Sequence, residues 1–137
     1  MTYLKPFAAG FLATLLFHQS VLWVLAHNNP AIPIWDFSPV PPLGVPRVIS
    51  LSFWAGLWGI VLWLVIRASR GRAYWLKALA FGALAPTIVS LLVVAPLKGK
   101  GLGYGWDPKF IVGALIVNAV WGLGTALLMR VMNRAIP

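Results

Sequence analysis

The chain has 137 residues, 61% of them hydrophobic and only 9% charged, too few charges to solvate a globule of this size. Eleven Lys and Arg against two acids give a formal charge of +9, yet the bases flank apolar runs and form no single basic face, which argues against nucleic-acid binding. Cysteine is absent, which excludes disulfides, thiolate metal sites and a Cys nucleophile.

Four apolar runs occupy most of the chain: Pro6 to His27, Val48 to Ile66, Ala78 to Ala95 and Phe110 to Met129. At about 1.5 Å per helical residue, runs of 18 to 22 residues rise roughly 27 to 33 Å, close to the thickness of a bilayer's hydrocarbon core. A backbone in lipid must satisfy its own hydrogen bonds, so the runs are expected to be helices. The fold class that follows is an all-α polytopic membrane protein, with four transmembrane helices in a compact bundle and no soluble domain.

The first run has a signal-peptide reading, with Lys5 ahead of it and Val24-Leu25-Ala26 near its end. His18, Gln19 and Ser20 interrupt its apolar part and it is long for a signal, so a retained helix is expected. Gly10, Thr14 and His18 recur at helical spacing on one side of it. His18 and Gln19 also fall near mid-depth, where polar groups are costly and invite a functional hypothesis. In one reading His18 takes up protons or touches a substrate along a polar pathway. In the other it is a neutral imidazole bonded to Asn118, Gln19 or Ser90 that holds the helices together; this is the commoner role for a lone buried His.

The connection from Asn28 to Arg47 holds six of the eleven prolines, a density that forbids helix and favours extended backbone. Ile32, Ile34, Trp35, Phe37, Val40, Leu43 and Val45 nevertheless make it apolar, so it is expected to lie against the helix ends or in the interface. The second run carries Ser52, Gly56 and Gly59 on one face, and the third Ala80, Ala83, Thr87 and Ser90, with a kink expected at Pro86. Between them stand Arg67, Arg70, Arg72 and Lys77, the strongest basic cluster, which the positive-inside rule places in the cytoplasm together with both termini.

The connection from Pro96 to Lys109 has Gly99, Gly101, Gly103 and Gly105 at alternate positions. It is a pliant turn, or an anion-binding nest beside Lys98 and Lys100. Asp107-Pro108, directly before the fourth run, has the form of an N-cap followed by Pro at the first helical position. The fourth run carries Ala114, Asn118, Gly122 and Thr125 on one face. Gly10, Thr14, Gly56, Gly59, Thr87, Ser90, Gly122 and Thr125 are therefore the expected helix-packing residues, since lipid gives helices no hydrophobic reason to associate and close packing must do so.

Asp36 and Asp107 are the only carboxylates, and each follows a Trp. As a pair on the outer face they could act as acid and base or collect a cation; separately they could neutralise Arg47, Lys98 or Lys109, or cap a turn. The halves 1–72 and 73–137 echo one another. Trp35-Asp36 matches Trp106-Asp107, and Leu57-Trp58-Gly59 followed by Arg67 matches Val120-Trp121-Gly122 followed by Arg130. Ala9-Gly10 faintly matches Phe81-Gly82, so two related two-helix halves are a possible architecture.

No Ser has a visible base and orienter, and no His, Asp or Glu cluster has metal spacing, so neither catalysis nor a cofactor is expected. In length and span count the chain resembles the small four-span proteins of bacterial inner membranes, a likeness that carries no site. The expectation is a non-enzymatic structural or accessory component in the lipid bilayer, acting by self-association or through another membrane protein. The alternative is a small-solute, ion or proton transporter or channel that works as an oligomer, with His18, Gln19 and Asn118 as its intramembrane polar site.

Overall fold

The computed structural model describes residues 2–135. Apart from one minimal β-hairpin it is helical, with four long helices: α1 (Leu4–Ala26), α2 (Arg47–Ile66), α3 (Gly71–Leu97) and α4 (Pro108–Ala135). All four are long and apolar enough to cross a membrane. Their outer surfaces agree with that, because large apolar side chains such as Trp23, Trp54 and Leu76 are about 60% exposed and water would not tolerate so much of this surface.

The helices overrun the apolar runs. α4 starts at Pro108, where the ring's fixed φ suits the first turn, and the Asp107 carboxylate accepts from the Lys109 N–H at 3.0 Å. α3 starts at Gly71, well before its apolar run, so Arg72 and Lys77 ride on a helix and the connection from α2 is a tight turn, Arg67 to Arg70. Helical hydrogen bonding does not stop where hydropathy falls, so a helix can run on past its apolar stretch.

α1 packs against α2 and α4, α4 packs against α3, and α2 meets α3 more lightly through the Trp58 and Phe81 rings. Two glycine crossings set the closest approaches. A Cβ on Gly59 would meet the Pro6 carbonyl oxygen and the Gly10 Cα, the latter at 3.1 Å. A Cβ on Gly122 would meet the Ala78 carbonyl oxygen at 2.5 Å and the Gly82 Cα at 2.9 Å. The obstacles are backbone atoms, so only glycine fits these positions.

The main core lies in the half of the assembly next to the termini, built from Ala9, Ala13, Leu62, Ile66, Tyr74, Ala78, Trp121, Ala126 and Met129. Polar bonds tie it across helices: Trp121 Nε1 donates to the Gly10 carbonyl at 3.1 Å, and the Tyr74 hydroxyl to the Ala126 carbonyl at 2.6 Å.

The expected face of α3 needs correction. Ala80 is exposed and Ala83 only half-buried, while the packed stripe runs through Tyr74, Ala78 and Gly82 and continues to Thr87. Gly82 decides the phase, because only the side that presents it can approach Gly122. Pro86 lies inside α3 without ending it, and a π turn follows at Ser90–Val94.

Candidate functional site

The site begins with a defect in α1. At Thr14–His18 the helix widens into a π turn, in which the Gln19 N–H reaches back to the Thr14 carbonyl. Widening releases carbonyls from the regular ladder. The Leu15 carbonyl, so released, accepts the indole N–H of Trp35 at 3.0 Å. The next carbonyl, that of Leu16, accepts from the Ser20 hydroxyl.

Gln19 completes the dock. It is 3% exposed, its Oε1 accepts the Trp35 backbone N–H at 2.6 Å, and its Nε2 faces His18 Nδ1 at 3.3 Å. With the amide oxygen turned to Trp35, His18 Nδ1 is the acceptor and the ring proton sits on Nε2. A single residue, Trp35, thus donates two bonds to one helix face, from its backbone N–H and its indole N–H. Trp35 makes them by adopting φ 40°, a left-handed conformation that a bulky residue takes only when its surroundings impose it.

The next residue anchors the other side. Asp36 accepts from the Ser38 N–H at 2.9 Å and the Ser38 hydroxyl at 2.5 Å, and forms an ion pair with Arg47 at 3.2 Å. The Ser38 hydroxyl foremost, then its N–H and the Arg47 guanidinium, hold the Asp36 carboxyl below its ordinary pKa. The Pro-rich segment holds no helix, as its composition requires; it runs through turns into a hairpin in which β1 (Pro39–Val40) pairs antiparallel with β2 (Val45–Pro46). Bonds from Arg47 N–H to the Ser38 carbonyl and from Val48 N–H to the Asp36 carbonyl join that hairpin to the start of α2.

Gln19 and Asp36 therefore line one small cleft of about 90 Å³, together with Leu22, Pro33, Arg47, Val48 and Leu51. A larger, more open cleft of about 490 Å³ lies at the same end, between Trp23, His27, Asn28 and Ile34.

The other sequence-derived candidates divide. Asn118 belongs to a different pair, donating to the Thr87 hydroxyl at 2.8 Å across α4 and α3. Asp107 caps α4, and its preceding Trp106, like Trp35, has a positive φ, 58°. The alternate glycines Gly99, Gly101, Gly103 and Gly105 all have positive φ, so this connection is a run of tight turns. Of the packing residues, Gly10, Gly59 and Gly122 sit at the crossings, and Gly56 lies under the Phe7 ring. Thr14, Thr87 and Thr125 are buried and Ser90 is half-buried. The roles of Trp35 and Trp121 as interhelix or loop anchors were not legible in the sequence; the Trp-Asp echo was the available signal for Trp35.

Among the described residues no group of three His, Asp or Glu comes together as a metal site. No protein-family model, curated protein or solved structure matches this chain.

Proposed function

We propose that the protein is a structural or accessory membrane component that acts by self-association or through another membrane protein, its four helices embedded as a compact bundle. One observation carries this reading. Among the described residues no buried side-chain nitrogen or oxygen lacks a hydrogen-bond partner. The bonds form separate local groups, His18 with Gln19 and Trp35 in one and Asn118 with Thr87 in another. Polar side chains spent on holding neighbours favour a scaffold over a hydrated path.

Transport by an oligomer is the second reading. What favours it is the π turn in each of α1 and α3, the first containing His18, since such turns recur at functional sites. Proteoliposomes with an internal pH dye separate the readings. No proton or solute flux is expected from the wild type, and His18→Gln should stay folded with the same silence. Flux in the wild type that the folded variant lacks would overturn the accessory role.

The same proposal includes a bacterial inner membrane with both termini cytoplasmic, supported by seven of the eleven bases at the termini end. Cys introduced at Ser38 and Gly101 should react with an impermeant thiol reagent in intact cells, and Cys at Ser69 should not. The reverse pattern would invert the orientation.

It also takes 1–72 and 73–137 as two copies of one helix hairpin. Pro6 and Gly10 stand to Ala78 and Gly82 at one constant offset, and Ala55 and Gly59 to Asn118 and Gly122 at another; each quartet makes the same backbone crossing. Asp36 and Asp107 each accept from the N–H two residues on, after a Trp with positive φ.

A further inference from the structure

The two ends of this protein carry unequal charge: seven bases and no acid at the termini end, against Arg47, Lys98, Lys100 and Lys109 with both acids at the other. Lys5, Arg67, Arg70, Arg72, Lys77, Arg130 and Arg134 lie where α1 and α3 begin and α2 and α4 finish, and no Asp or Glu lies with them. Both carboxylates belong to the opposite end, where Asp36 is already paired with Arg47.

Lys77 donates to the Ser69 hydroxyl at 2.8 Å, and Arg130 and Arg67 stand against aromatic rings. The Arg130 guanidinium stacks 4.3 Å from the Tyr74 ring centroid and 5.1 Å from that of Trp75. The Arg67 guanidinium lies 5.0 Å from the Trp63 centroid, and Trp63 in turn meets Tyr3 edge-on at 5.7 Å. Tyr74 is itself fixed by its bond to the Ala126 carbonyl. Ring contact occupies the face of a guanidinium and neutralises none of its charge; Arg130 also hydrogen-bonds the Tyr74 side chain, and the N–H groups left over can grip a phosphate. Immediately beside these groups Leu64, Leu76 and Val131 are about half exposed or more. Guanidinium groups whose chain neighbours are exposed apolar side chains match an amphiphile better than a soluble anion.

We propose that the termini end binds anionic phospholipid headgroups, with Arg67 and Arg130 gripping the phosphates. This presupposes that the helices lie in a membrane, and it is independent of whether the protein is an accessory component or a transporter. Anionic lipid attracts each basic group near the surface with enough energy to be read directly.

The test uses nanodiscs of phosphatidylcholine alone or mixed with phosphatidylglycerol. The readouts are thermal unfolding of the full chain and native mass spectrometry of retained lipid, with fold checked by circular dichroism. Phosphatidylglycerol should raise the unfolding temperature and be retained selectively. Arg67→Gln and Arg130→Gln should each weaken retention about fivefold, whereas Lys100→Gln at the opposite end should not. If loss of the Tyr74 and Trp75 stack unfolds Arg130→Gln, Arg67→Gln decides alone. Equal retention of the two lipids overturns the proposal, as does a Lys100→Gln loss matching that of the Arg variants. Glycerophosphate added to phosphatidylcholine discs should give no stabilisation. An equal gain from it would assign the site to a soluble phosphoester and overturn the lipid reading.

Discussion

Gly59→Ala and Gly122→Ala are each expected to destabilise the protein by about 2 to 3 kcal/mol or more, the cost of overpacking where nothing can yield. On a free helix face the same change would stabilise by up to about 1 kcal/mol, since Ala is the better helix former. Here the sign reverses, because the new methyl on Gly59 meets the Pro6 carbonyl and the Gly10 backbone, and that on Gly122 meets Ala78 and Gly82 in the same way. Relief requires two helices to move apart, which forfeits the close packing that holds helices together in lipid. Gly56→Ala should cost less, because the obstacle is the Phe7 ring, a side chain that can turn. Gly113→Ala should be neutral or stabilising, since a Cβ there meets nothing within 4 Å. Thermal unfolding in detergent, read by circular dichroism, ranks the four. A ranking in which Gly113→Ala is as harmful as Gly59→Ala would remove the crossings as the organising contacts. A large effect at Gly59 with none at Gly122 would count against two equivalent hairpins.

The second large effect is expected at Gln19. Gln19→Leu keeps much of the volume but removes both polar atoms, so the Trp35 N–H loses its partner and His18 Nδ1 loses its own. An unmade buried bond costs about 1 to 3 kcal/mol, more than a typical made one contributes. The strained φ of Trp35 is kept only by such bonds, so the segment from Trp35 through the hairpin should release from α1. Faster proteolysis within 30–46 and a red-shifted Trp emission report the release, while the helix content stays unchanged. Gln19→Glu offers the informative contrast: its carboxylate still accepts from Trp35 but has no N–H for His18. Retained docking in Gln19→Glu with loss in Gln19→Leu assigns the effect to the Trp35 bond. Full protection of the segment in Gln19→Leu would show that Asp36, Ser38 and Arg47 hold it without α1.

Helix number and approximate position were legible because lipid imposes a one-dimensional rule, in which about twenty apolar residues make a span whatever they touch. Asp107-Pro108 at the start of α4 and the non-helical character of the Pro-rich segment were legible for a similar reason. Capping and proline act through the few residues on either side. The stripe on α3 was not legible: Ala80 and Ala83 are as small as Ala78 and Gly82, and composition cannot tell which phase of the helix meets a partner. Only the glycine of the facing helix, Gly122, settles it.

The candidate polar site divides along the same line. That His18, Gln19, Asp36 and Asn118 were unusual was visible in the sequence, because polar groups in an apolar chain are conspicuous. Which of them meet was decided by a π turn that frees the Leu15 carbonyl, by the left-handed Trp35, and by the packing of α4 on α3 that gives Asn118 to Thr87. The chain alone determined the number of long apolar helices, their approximate positions and the start of α4, since hydropathy, capping and proline geometry act over a few neighbouring residues. The tertiary structure decided the helix partners and the polar pairings, because a hydrogen bond or a backbone crossing depends on two segments far apart in sequence arriving within a few ångströms, and no local pattern encodes that.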